Sequence, residues 1–222
     1  MSAPAGRRWD AVLLDLDGTL TDPREGITRS IRFALERLGL EAPPARELED
    51  WIGPPLRRCF EERAGLDRAT SARAVELYRE YFAERGIYEN RVHPGIPELL
   101  ARLRAVRLRL VLATSKPGVY AERVLAHFAL REPFEHVIGS FLDGRRVEKR
   151  ELVADALTAL GDVACGRAVM VGDREHDMHG ARACGIASIA VTWGFGSRAE
   201  LRCAERLADT PAELLAHLTS AP

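Results

Sequence analysis

The chain has 222 residues, 46% of them apolar, and a formal net charge of −1. That length suits one sizeable domain, or a domain carrying a smaller one. Near-neutral charge, with basic residues scattered along the chain, excludes a general attraction to nucleic acid polymers or acidic membranes, and no apolar run approaches the length of a membrane span.

The first ten residues lack the apolar core of a signal peptide, so the expected compartment is the cytoplasm. The four cysteines, Cys59, Cys165, Cys184 and Cys203, form no CxxC pair and have no zinc-like spacing. They read as thiols in a reducing environment. Only two lysines, Lys116 and Lys149, stand among the 32 basic residues. An ammonium kept at two places in an arginine-rich chain points to sites where the two cations are not interchangeable.

Taken in order, Val12 to Leu14 are apolar and β-prone and predict a buried strand. Asp15-Leu16-Asp17-Gly18-Thr19 follows at its carboxyl end. Two acids that close repel unless a positive charge lies beside them. A divalent cation answers that need with hard oxygen ligands. Asp22-Pro23-Arg24-Glu25 opens a helix whose apolar face is Ile27, Ile31, Ala34, Leu35 and Leu38. Residues 41–55 are proline-rich around a short helix. A third helix is predicted from Leu56 to Glu62, and a fourth carries Ala74, Leu77, Tyr78, Tyr81 and Phe82 on one face. Residues 21–92 therefore read as an all-helical insertion, with 1–20 and 93–222 forming an α/β core.

From His93-Pro94-Gly95 onward, helices and strands alternate. Leu108 to Ala113 is a strand ending at Thr114-Ser115-Lys116-Pro117, and a helix spans about Val119 to Phe128. His136 to Gly139 is a short strand, and a helix places Leu152, Val153, Ala156, Leu157 and Leu160 on one face. Ala168 to Val171 is a strand ending at Gly172-Asp173, and Ile186 to Val191 is another. Ser197-Arg198-Ala199-Glu200 and Thr210-Pro211-Ala212-Glu213 read as capping boxes opening the last two helices. This alternation implies a doubly wound, Rossmann-like parallel sheet, covered by helices on both faces. Ligands bind such sheets beyond the carboxyl ends of the strands. Asp15, Asp17, Thr114 and Asp173 all fall there.

Four segments in this order resemble the motifs of the haloacid dehalogenase superfamily of phosphatases. They are Asp15-Leu16-Asp17-Gly18-Thr19, Thr114 after an apolar strand, Lys149, and Gly172-Asp173-Arg174-Glu175-His176-Asp177. The resemblance spans nearly the whole chain, including Trp193-Gly194-Phe195-Gly196-Ser197, and is nearest to phosphoglycolate phosphatase-like members with a helical cap between the first and second motifs.

The resemblance implies a magnesium-dependent phosphatase working through an aspartyl phosphate. Asp15 would be the nucleophile, and Asp17 the acid that protonates the leaving oxygen and then deprotonates water. Asp15, the backbone carbonyl of Asp17, and Asp173 would hold Mg2+, with Asp177 one shell further out. Thr114 would donate to the phosphoryl oxygens and Lys149 would balance charge there, with Lys116 its rival. Gly18, Ser115 and Lys116 are further candidates for phosphate contact. Arg57 or Arg58, beside Gly53-Pro54-Pro55, could pair with a substrate carboxylate such as that of phosphoglycolate. The expected partner is a small phosphorylated metabolite, and the protein would act as a monomer or homodimer. Asp22-Pro23 and His93-Pro94-Gly95 would be the hinges of the insertion.

Other chemistries are open. Dehalogenases of similar fold lack the second acid, and phosphonatases use a cap lysine, which residues 20–92 do not contain. A 5′-nucleotidase, or a sugar-phosphate phosphatase or mutase, keeps both aspartates. A receiver-like phosphoacceptor module also uses Asp, Thr and Lys on a parallel sheet, but without a helical insertion after its first strand.

Overall fold

The computed structural model describes residues 8–161, 163 and 165–221. The chain forms two compact units, one of residues 1–21 with 92–222 and one of residues 22–91. In chain order the elements are β1 (Ala11–Leu14), β2 (Thr21–Asp22), α1 (Arg24–Arg37), α2 (Ala45–Leu48), α3 (Leu56–Glu62), α4 (Arg68–Tyr81), β3 (Arg91–Val92), α5 (Ile96–Ala105) and β4 (Arg109–Pro117). They continue with α6 (Gly118–His127), β5 (His136–Ser140), α7 (Lys149–Leu160), β6 (Ala168–Gly172), α8 (Glu175–Ala183), β7 (Ala187–Val191), β8 (Arg206–Ala208) and α9 (Pro211–Thr219).

The larger unit is built on a six-stranded sheet of order β5-β4-β1-β6-β7-β8. Every pairing in it is parallel. Such a sheet is covered on both faces, which is why its central strands are near-continuous apolar runs. Ala11 to Leu14 and Leu110 to Ala113 are fully or almost fully buried, as are Ala168 to Val171. Val153, Ala156 and Leu160 of α7 and Ala181 of α8 pack on one face with Leu13, Val111 and Met170. Because β1 is central, its end and those of β4 and β6 converge.

The smaller unit is helical. Asp67 caps α4 by accepting from the backbone N–H groups of Ala69 and Thr70. Trp51 and Phe60 pack edge to face at 5.6 Å in its interior. The chain leaves α4 through a single π-helical turn, Phe82–Gly86, which the sequence pattern did not anticipate. Gly26 and Gly86 allow α1 and this turn to touch backbone to backbone: a Cβ on Gly26 would overlap the carbonyl of Gly86.

Three local expectations are corrected. Pro23 sits at the N-cap position of α1 rather than at its first turn, although the Asp22 carboxylate does accept from the Arg24 N–H. Ser197 caps only the short 3₁₀ turn Glu200–Cys203, not a full helix. The Glu200 carboxylate turns away to accept from Arg174 Nε and the Glu175 N–H, so it cannot complete a capping box. The edge strand β8 is an addition. Its three residues are too few to show alternation, and its pairing with β7 defines it.

Candidate active site

The site is assembled by strand ends. β1 stops where Asp15 N–H donates to Val171 O of β6. Beyond it the chain folds back on itself, with the N–H groups of Thr19, Leu20 and Thr21 all directed at Leu16 O. Gly18 makes that reversal possible at φ +86°, a conformation costly for any residue with a side chain. Asp15 and Asp17 are thereby held on a short rigid turn.

The carboxylates of Asp15, Asp173 and Asp177 gather so that one oxygen from each lies within 4.8 Å of the others. All three are buried. Lys149, at the first turn of α7, reaches between them: its Nζ lies 2.8 Å from Asp15 Oδ1 and 2.7 Å from Asp177 Oδ1, and donates to Ala113 O at 3.0 Å. Burial alone would depress the ammonium, but Asp15 and Asp177 together raise its pKa above the ordinary lysine value. Burial raises the Asp173 carboxylate well above its usual range, with Asp177 and Asp15 adding repulsion. Burial pushes Asp177 up to about 6 against the pull of Lys149.

Three carboxylates facing one ammonium leave an excess of negative charge in a dry place. Asp15 Oδ1 and Asp177 Oδ1 accept no well-aligned hydrogen bond, despite their short distances to Lys149. An all-carboxylate oxygen set with spare lone pairs fits a hard divalent cation such as Mg2+.

Without a cation the raised carboxylates bind protons more tightly folded than unfolded. The stability of the chelated protein should then fall as pH rises from about 4 through about 6. Carboxylates held low by hydrogen bonds, such as Asp67 and Asp209, lose their contribution only below the unfolded carboxylate range, so they do not oppose this trend. Thermal melts in chelator are expected to gain several degrees from pH 7 to pH 5, at about 2–4 °C per kcal/mol. The Asp177→Asn and Asp173→Asn variants should each lose part of that gain. A flat or opposite profile in the wild type would contradict these directions.

Lys149 and Lys116 take different partners. Lys116 Nζ pairs with Asp17 Oδ2 at 2.7 Å, and both side chains are largely buried. Burial raises the Asp17 carboxyl, with Lys116 opposing it. Each aspartate of the first motif therefore has its own lysine. The Asp17 carboxylate stands outside the three-acid cluster. Asp177 is one of the three clustered acids, and its other oxygen also accepts from the Arg174 N–H at the start of α8. Thr114 is buried in β4 just before the irregularity near its carboxyl end, its hydroxyl accepting from the Lys116 N–H. The Ser115 hydroxyl instead donates to Val147 O, so it is committed within the protein. Arg57 and Arg58 are exposed and pair with Glu61 and Glu62 one turn along the same helix, α3.

The segment Trp193-Gly194-Phe195-Gly196-Ser197, which the resemblance included without assigning it a role, encloses Asp173. The Phe195 N–H donates to Asp173 Oδ2 at 2.8 Å, and Thr19 Oγ1 donates to Oδ1 at 3.2 Å. Trp193 Nε1 donates to Thr19 O, tying the segment to the first motif. A Cβ on Gly18 or Gly194 would overlap the Asp173 carboxylate, one on Gly196 its carbonyl, and one on Gly172 the Asp177 carboxylate. Gly18→Ala combines this overlap with a strained backbone, about 1–3 kcal/mol for the conformation alone. Its expected signature is a lower Tm together with loss of the Tm increase expected of the wild type on adding Mg2+ or Mn2+. An unchanged cation response would show that Asp173 tolerates displacement.

A parallel doubly wound sheet whose strand ends converge on buried acids defines an α/β enzyme. Residues 12–191 match the model of the haloacid dehalogenase-like hydrolases, and the chain belongs to that family. It is 51% identical over 198 residues to a Pseudomonas aeruginosa protein named 5′-nucleotidase, covering 89% of each chain. It is 40% identical to the Mycobacterium tuberculosis protein named tyrosine-protein kinase PtkA, covering 86% of this chain and 65% of that one. A phosphoglycolate phosphatase of Neisseria gonorrhoeae is 27% identical, with 84% of this chain and 81% of that one covered. Among solved structures, a predicted phosphatase from Clostridium acetobutylicum superposes with a TM-score of 0.90 at 39% identity, over 94% of this chain and 97% of that one. The chain is a phosphatase of this family. Among the described residues no helix is long and apolar enough to cross a membrane.

Proposed function

We propose that the protein hydrolyses a small phosphate monoester through a phosphoryl group carried on Asp15. The observation that carries this reading is the pairing of the two first-motif acids with separate lysines. Asp15 is held by Lys149 beside the acid cluster, and Asp17 is held apart by Lys116. Two carboxylates in different surroundings can take different roles. Asp15 attacks phosphorus, the ester bond breaks, and Asp17 delivers a proton to the leaving oxygen. Asp17 then takes a proton from the water that displaces the phosphate from Asp15. Thr114 accepts from Lys116 N–H, which leaves its own O–H to donate to a phosphoryl oxygen. Lys149 offsets charge on Asp15 as the phosphoryl group arrives.

Asp15, Asp173 and Asp177, with the Asp17 carbonyl, would hold Mg2+. When bound, the ion supplies charge neutralisation between an anionic nucleophile and an anionic substrate. Activity should vanish in chelator and return with added Mg2+. Asp173→Ala should lower kcat/KM by at least about 10²–10³, the scale of losing one electrostatic anchor. Full activity in chelator would remove the metal from the reading. Residues 21–92 would act as a cap that excludes water during transfer.

We infer a nucleoside 5′-monophosphate as the substrate class, with phosphoglycolate second. The similarity to a protein named 5′-nucleotidase supports the first. The second has support from a more distant relative of that name. Its candidate anchors, Arg57 and Arg58, form exposed pairs with Glu61 and Glu62 that a substrate carboxylate would have to displace. The test is kcat/KM for nucleoside monophosphates, phosphoglycolate and hexose phosphates, in wild type and in Arg57→Ala and Arg58→Ala. Nucleotide preference with little effect of either arginine is expected. Preference for phosphoglycolate, lost on removing an arginine, would reverse the order.

A further inference from the structure

The loop between β5 and α7 carries an exposed aromatic group that the chemistry above does not use. Phe141 is 47% exposed and Leu142 42% exposed. Side chains of that size are normally left in water singly rather than as neighbours. Arg145 lies over Phe141, its guanidinium 5.1 Å from the ring centroid. The loop is a tight reversal: Phe141 N–H donates to Arg145 O, and Gly144 N–H donates to Phe141 O. Arg146 closes it at φ +54°, a conformation unfavourable for an arginine.

Both ends of the loop are fastened to Ser115, the residue after Thr114. The Ser115 hydroxyl donates to Val147 O at 3.1 Å, and Ser115 O accepts from Ser140 Oγ at 2.7 Å. Two residues after Val147 comes Lys149, in contact with Asp15. The loop therefore leaves and re-enters the site at fixed points. The start of α6 meets β5 backbone to backbone, where a Cβ on Gly139 would overlap Gly118.

Distance selects the ligand. β5 lies two strands from β1, about 10 Å across the sheet. A two-carbon acid held by its phosphate at Asp15 cannot span that distance, whereas a nucleoside carries its flat base well away from the phosphate. Aromatic and guanidinium planes are what bases stack on, whatever their sequence identity.

We propose that Phe141 and Arg145, with Leu142 beside them in the chain, form the platform that receives the base of a nucleoside monophosphate whose phosphate lies at Asp15. The proposal rests on the nucleotide reading above and assigns specificity to a loop of the larger unit. It predicts tolerance of several bases, because stacking reads a plane and not its edges.

The test compares kcat/KM for nucleoside 5′-monophosphates with that for ribose 5-phosphate, which has the same sugar phosphate and no base. The full chain is assayed with Mg2+ as wild type, Phe141→Ala, Phe141→Tyr and Arg145→Ala. The wild type should prefer the nucleotides. Phe141→Ala should lower kcat/KM for nucleotides about ten-fold or more, the scale of losing one stacked base, with ribose 5-phosphate unchanged. Phe141→Tyr should retain the wild-type preference, and Arg145→Ala should lose part of it. Nucleotide preference that persists in Phe141→Ala would overturn the platform and leave the nucleotide reading standing. No preference for nucleotides in the wild type would overturn both. An equal loss on both substrates, with altered melting or a changed oligomeric state by light scattering, would make the loop a structural or subunit contact and overturn the platform.

Discussion

Replacing Asp15 by asparagine is expected to lower kcat by about four to six orders of magnitude, the range seen when one member of a catalytic unit is removed. The amide is nearly the same size but cannot attack phosphorus. Lys149 would keep Asp177 as its partner at 2.7 Å, so the ammonium is not stranded. The fold should survive, with the melting transition still cooperative. Residual activity within about ten-fold of wild type in folded Asp15→Asn would move the nucleophile elsewhere.

Lys149→Ala carries the next largest effect, on both rate and stability. Lys149 is the ammonium touching Asp15 and Asp177 at once. Removing it leaves buried carboxylates without their partner, which typically costs about 3–5 kcal/mol. The charge it would supply near the phosphoryl group is worth roughly 10²–10³ in kcat. Added divalent cation should recover part of the stability, because it relieves the same repulsion. Lys116→Ala should be milder in kcat, since its partner Asp17 stands outside the acid cluster. If Lys116→Ala proves much worse than Lys149→Ala, the assignment of the charge-balancing lysine is reversed. The two measurements are kcat for each variant and its Tm with and without Mg2+.

What the sequence disclosed, and what it hid, follows from the range of each interaction. The central strands were legible because burial on both faces demands unbroken apolar runs, as in Val12–Leu14 and Ala168–Val171. Their carboxyl ends then located Asp15, Thr114 and Asp173. Lys149 stood out by rarity in an arginine-rich chain. Lys116 stood out equally, and no local pattern could reveal that it reaches Asp17 while Lys149 reaches Asp15 and Asp177. Those pairings depend on how α7 and the end of β4 sit against β1. The enclosure of Asp173 was hidden for the same reason. Phe195 and Gly194 lie about twenty residues beyond it in the chain and meet it only after β7 has crossed back. The Ser197 segment misled because Ser-x-x-Glu is a local signal, and Glu200 is claimed instead by Arg174 and the Glu175 N–H. The pairing of Phe141 with Arg145 lies in a loop whose turn chemistry carries no apolar period.

The central claim is that the phosphoryl group passes through Asp15. It is tested most directly by rapid acid quench during turnover of a nucleoside monophosphate with Mg2+, followed by peptide mapping for a phosphoryl adduct. The account predicts a transient adduct on the peptide containing Asp15, acid-stable but labile to base and hydroxylamine as an acyl phosphate is, and absent from Asp15→Asn. An adduct on any other residue, or sustained turnover in Asp15→Asn, would contradict it.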